Sequence, residues 1–132
     1  MQEDLLTLLL ADSGLAAQCG DRIFWGERPQ GGAVPALVLH LITRRDDYTL
    51  SGPVTAKMTR VQFDIFAETY GEATLSARAL STLLDGYLGT TGNTEFMGIF
   101  LDGQQNQRIA GSNDAETLFR VSIDALIHHK EI

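Results

Sequence analysis

Apolar and polar positions alternate along two stretches of this chain, a third is almost continuously apolar, and apolar residues recur at helical spacing along two others. Residues 3–11 predict the first helix, with Glu3 and Asp4 in its first turn, where the helix dipole favours acids. Leu5, Leu8 and Leu9 form one stripe, and Leu6 and Leu10 widen it beyond the usual apolar face. Such a helix is either tucked deeply against a sheet or turned toward a second subunit. Asp12 or Ser13 caps a short second helix through Cys19, which Gly20-Asp21 ends. Residues 25–35, dense in Gly and Pro, predict a loop. Trp25 either anchors that loop on the core or serves as a contact residue.

Residues 36–43 (Ala-Leu-Val-Leu-His-Leu-Ile-Thr) predict a strand needing cover on both faces, broken by His40. A histidine in such a run reads as a hydrogen-bonded structural group. Residues 44–53 form a charged turn region, as a hairpin extension or a loop. Residues 55–66 predict the second strand, with Thr59, Val61, Phe63 and Ile65 inward. Thr69-Tyr-Gly-Glu72 is a capping box that starts a helix running to Asp85. Ala73, Ala77, Leu80, Leu84 and Tyr87 are its buried face, and Gly86 and Gly89 end it. Residues 96–102 predict the third strand, 103–116 a polar connector, and 117–129 the fourth strand. The order implies one domain over 1–132, of α+β class, with a four-stranded, mainly antiparallel sheet and helices packed on one face.

Two of these strands echo each other. Arg60-Val-Gln-Phe-Asp64 and Arg120-Val-Ser-Ile-Asp124 each place Arg, a small polar residue and Asp on one face. Laid antiparallel and centred on Gln62 and Ser122, they pair Arg60 with Asp124 and Asp64 with Arg120. That makes a structured polar face, suited to docking other subunits or lining a shared channel.

Charge narrows the function classes. Seventeen acidic residues oppose ten basic ones, a formal charge of −7. A protein built to grip phosphates needs the opposite balance, although an acidic wall lets DNA slide past. Cys19 is the one cysteine, so no intramolecular disulfide forms. It reads as a small buried hydrophobe in a cytoplasmic protein. The start is acidic, unlike a secretory signal, and no apolar run approaches the roughly 18 residues of a membrane helix.

Catalytic constellations are absent from the sequence. Gly89-Thr-Thr-Gly92 lacks the lysine of a phosphate loop, and no Gly-x-Ser-x-Gly elbow occurs. His128 and His129 are neighbours on a strand and point to opposite faces, so they cannot chelate one ion there. Asp46-Asp47 and Glu3-Asp4 read as solvated charge. No catalytic residue, cofactor site or metal site is expected.

Five phrases in order along the chain resemble the tail-completion or tail-terminator proteins of long-tailed phages, prophages and gene transfer agents. They are Gly20-Asp-Arg-Ile-Phe24, Pro29-Gln-Gly-Gly-Ala-Val-Pro-Ala-Leu-Val38, Tyr48-Thr-Leu-Ser-Gly-Pro53, Arg60-Val-Gln-Phe-Asp-Ile-Phe-Ala-Glu-Thr-Tyr-Gly-Glu-Ala73 and Leu118-Phe-Arg-Val-Ser-Ile-Asp124. Where similar proteins end the last strand with an aromatic before a histidine, this chain has His128-His129. The resemblance implies a non-enzymatic ring, a homo-hexamer, at the head-proximal end of the tail tube. It would stop tube growth and join the tail to the head-completion or connector protein. DNA would pass through without specific binding, and no membrane is involved. Assembly would occur in the bacterial host cytoplasm, and the protein would then reside in the virion tail. Candidate subunit-interface residues are Arg44, Arg45, Asp46, Asp47, Tyr48, Arg60, Asp64, Arg120, Asp124 and Trp25. Two rival classes are a small-molecule-binding α+β module, with an apolar pocket under the helices, and a metal-dependent enzyme using His40 or His128.

Overall fold

In the computed structural model, which describes residues 1–29, 32–49, 52–110 and 117–131, two helices open the chain. These are α1 (Gln2–Ala11) and α2 (Ser13–Cys19). The chain continues through β1 (Ile23–Trp25), β2 (Ala36–Thr49), β3 (Gly52–Ala67), α3 (Tyr70–Leu84), β4 (Gly89–Thr91), β5 (Thr94–Ala110) and β6 (Thr117–Glu131). One six-stranded sheet results, in the order β1-β2-β3-β6-β5-β4. The β1–β2 pair is parallel and the other pairs are antiparallel. The α+β class holds, but the sheet has six strands where four were expected. The two additional strands, β1 and β4, are three residues each, too short to display an alternation. They exist because tertiary neighbours hold them against longer strands.

Local signals act where the sequence predicts. The Asp12 carboxylate accepts from the Leu15 N–H at 2.9 Å and caps α2. Thr69 Oγ1 accepts from the Glu72 N–H at 3.1 Å and caps α3. Ala73, Ala77, Leu80 and Leu84 are buried, and their spacing lets α3 lie close on the sheet. The β4–β5 turn uses Gly92 and Asn93, with Gly92 at φ 57, as a two-residue hairpin requires. A side chain on Gly92 would also collide with the Asp4 carboxylate.

The core lies between the helices and the sheet face bearing Leu37, Leu39, Val61, Phe63, Ile65, Val121, Ile123 and Ile127. Phe63 and Phe96 fill its centre with Leu5, Leu9, Leu80 and Leu84. In α1, Leu5 and Leu9 are buried, Leu6 and Leu8 are half-buried, and Leu10 is exposed. The helix is therefore mostly tucked in. It is held near both ends of the strand order: Trp25 Nε1 at the end of β1 donates to the Gln2 carbonyl at 3.1 Å, and Thr94 Oγ1 in β5, beside the last strand, donates to Asp4 at 2.6 Å. The sheet thus wraps α1. Cys19 is buried, and burial pushes its thiol up despite the opposing influence of the nearby Ser76 hydroxyl and the charge of Arg22.

The polar connector expected at 103–116 is instead strand as far as Ala110, and residues 111–116 lie outside the described residues. Its run of Gln and Asn carries no apolar alternation, yet it is paired along β6 through Gln104↔Ile123 and Ala110↔Thr117. A register shift at Asp102-Gly103, with Gly103 at φ 141, lets the strand continue. The charged region 44–53 is the hairpin extension of β2 and β3, paired at Arg44↔Thr59, Asp46↔Lys57 and Thr49↔Gly52. Its tip, residues 50–51, lies outside the described residues.

Candidate functional site

Alternation along β3 and β6 turns Arg60, Gln62, Asp64, Arg120, Ser122 and Asp124 onto the face away from the helices. The two strands are antiparallel neighbours, as expected, but the register differs. Phe63 faces Ile123, so Gln62 lies opposite Asp124 and Asp64 opposite Ser122. Apolar alternation determines only the parity of a pairing, and a two-residue slip keeps every side chain on its face. Core packing of Phe63 with Ile123 selects among the registers of that parity.

The slip rearranges the ion pairs. Arg60 and Asp124 become diagonal neighbours at 4.0 Å, and Arg60 binds Asp102 of β5 at 2.8 Å instead. Asp102 was legible only as the end of a strand, because its partner comes from a third strand two positions away in the sheet. The expected Asp64–Arg120 pair does not form. Arg120 donates to Gln107 of β5, and its Nε is buried without a partner among the described residues.

Asp64 is 3% exposed and serves as the hub of a hydrogen-bonded cluster. It accepts from Ser122 Oγ at 2.6 Å and from Gln62 Nε2 at 2.9 and 3.1 Å, and His40 Nε2 of β2 lies 3.3 Å away. Two donors, Ser122 and Gln62, with the His40 ring beside them, compensate for the lost hydration of this buried carboxylate. His40 is accordingly a structural partner, as its setting in an apolar strand suggests. The echo of the two strands puts Gln62, Asp64 and Ser122 on one face, but no sequence signal links His40 of β2 to them.

Beside this cluster lies a polar cleft of about 330 Å³ lined by Gln62, Asp102, Gln104, Arg120, Ser122 and Asp124. At the other end of the face, the Arg28 guanidinium sits 5.4 Å from the centroid of the Phe66 ring. That contact lays the loop after β1 over the end of the sheet, where Ala36 and Val38 are buried. Trp25 is the last residue of β1, half-buried, and its bond to Gln2 makes it an anchor. Arg44 is an exposed residue of β2. The side chains of Arg45, Asp46, Asp47 and Tyr48 lie outside the described residues, although their backbone is strand.

His128 and His129 point to opposite faces. His128 stacks edge-on against Phe100 at 5.5 Å. His129 is 3% exposed and its Nε2 lies 2.8 Å from Thr59 Oγ1. Burial pushes the His129 ring below the usual imidazole range; the Met1 ammonium, Lys57 and Arg44 add to this and Glu131 opposes it. Among the described residues no three His, Cys, Asp or Glu side chains gather as metal ligands, and no helix is long and apolar enough to cross a membrane.

Residues 3–125 match the family described as tail completion protein gp17. No curated protein gives a significant match. Among solved structures, the chain is similar to one in the virion of a native gene transfer agent particle, at 17% identity over 97% of this chain and 94% of that chain, with a TM-score of 0.66. At that identity the likeness concerns the fold.

Proposed function

The chain belongs to the tail completion protein gp17 family, a family of structural phage-tail proteins, and from that premise we propose that it caps the head-proximal end of a phage tail tube as a homo-hexameric ring. The ring ends tube polymerisation and offers its far side to the head-completion or connector protein. DNA passes through the centre without specific binding, in keeping with the formal charge of −7. The protein assembles in the bacterial host cytoplasm and then resides in the virion tail. It acts by shape and contact, with no catalytic role.

The observation that carries this reading is the polar sheet face opposite the helices. Arg60, Asp102, Asp124 and Arg120 stand there on long, well-braced strands, uncovered by any described helix. A ring joins one surface of each subunit to a different surface of the next. The polar face and the β2–β3 hairpin with Arg44, Arg45, Asp46, Asp47 and Tyr48 are the contact surfaces of this reading, while Asp64 and Trp25 brace them from within.

Mass in solution tests it, by light scattering after size exclusion across a concentration series. The expected result is a discrete species of six chains, alone or on addition of tail-tube protein. A single-chain mass under both conditions overturns the ring.

A further inference from the structure

The two edges of the sheet are each covered over only part of their length. β1 pairs with β2 only at Leu37–Leu39, and the Gly26 N–H adds a bond to the Leu39 carbonyl. From His40 to Thr43 no described strand pairs with the outer edge of β2. On the opposite edge, β4 covers β5 at Thr94–Phe96, and the Gly86 N–H closes the Ile99 carbonyl. From Phe100 to Ala110 no described strand pairs with the outer edge of β5. Long open edges invite association, and folded chains normally blunt them.

Exposed apolar side chains mark the same places. Of the eight large hydrophobic residues exposed among the described residues, Leu41 and Ile42 lie on the open edge of β2, and Leu88, Met97 and Phe100 at the β4–β5 edge. Phe100 is 54% exposed, with its ring braced by His128, and Ile42 is 46% exposed at the β2 bulge. The ladder also sets them level: Thr43, Arg60, Leu126 and Phe100 form one row across the sheet, and Ile42 adjoins Thr43. One chain therefore carries two open edges at opposite ends of its sheet, each with an exposed hydrophobe at the same height. Two copies related by a rotation bring unlike edges together, which is the heterologous contact that closes rings.

The geometry points to a specific joint between copies of this chain: the open edge of β2 around Ile42 meets the open edge of β5 around Phe100 of the next subunit. This rests on the ring reading and names its contact. The joint buries both hydrophobes at each repeat.

Disulfide trapping tests the joint in the full-length chain, in a Cys19→Ala background. Ile42→Cys and Phe100→Cys are made singly and together, and oxidised at a concentration where light scattering finds the oligomer, with tail-tube protein added where assembly needs it. The expected result is a ladder up to the ring number for the double variant, and dimers only on mixing the two single variants. A discrete oligomer without these cross-links overturns the joint and leaves the ring. Dimers from one single variant alone mean like edges meet, which also overturns it. No oligomer under either condition overturns ring and joint together. As a second readout, Ile42→Asp and Phe100→Asp should each weaken assembly at least about tenfold, with unchanged far-ultraviolet dichroism; unweakened assembly counts against the joint.

Discussion

Ser122 Oγ donates to Asp64 Oδ1 at 2.6 Å across the row where these two residues face each other in the β3–β6 ladder. The bond ties a buried carboxylate to the strand register and lies at the centre of the polar sheet face. Asp64→Ala leaves Ser122 and Gln62 without their acceptor and His40 without its carboxylate neighbour, and should cost about 1–3 kcal/mol; Ser122→Ala should cost about 0.5–1.5 kcal/mol. The double variant should cost clearly less than the sum, because both single changes break the same bond. Urea denaturation of the four proteins measures this, and strict additivity would remove the bond from the account.

Arg60 has two carboxylates within reach, and the nearer belongs to β5. Double-mutant cycles should therefore give a larger coupling for Arg60 with Asp102, at 2.8 Å, than with Asp124, at 4.0 Å. Both carboxylates are substantially exposed, so neither coupling should exceed about 1 kcal/mol. Reversing charges as Arg60→Glu with Asp102→Arg should restore more stability than Arg60→Glu with Asp124→Arg. The opposite ranking would mean that β5 sits differently against β3 and β6 in solution.

His129 makes stability depend on pH. Burial lowers its folded pKa, so the unfolded chain takes up the proton first as pH falls. Above the ordinary imidazole value of about 6.5 the ring is neutral in both states and contributes no pH dependence. Below it, stability should decline toward the lower folded pKa, by at most about 1.4 kcal/mol per pH unit for one proton. Thermal melts of the wild type and His129→Gln from about pH 8 to pH 5 isolate this from the carboxylates. Parallel curves for the two proteins would assign the acid sensitivity elsewhere.

The candidate face was half legible in advance. The Arg-Val-x-x-Asp echo revealed two adjacent antiparallel strands with polar residues on one side, and both features hold. The partners on that face were not legible. Arg60 finds Asp102, Arg120 finds Gln107, and Asp64 finds Ser122, Gln62 and His40. Each of these sets depends on the relative shift of strands far apart in the chain, and a two-residue shift is invisible to an apolar period of two. Asp102 was further hidden by the Gln- and Asn-rich run that follows it, whose strand character comes from pairing with β6.

Position-by-position chemistry in the sequence determined the α+β class, the three helices with their caps at Asp12 and Thr69, the four long strands, the buried stripe from Ala73 to Leu84 and the burial of Cys19. These follow from neighbours within a few residues, where capping, turn geometry and alternation act. Tertiary structure alone decided the two short edge strands, the strand order, the extension of β5 to Ala110, the β3–β6 register and the open stretches on the sheet edges. Those depend on how side chains distant in sequence pack into one core, and only the folded chain brings them within reach of one another.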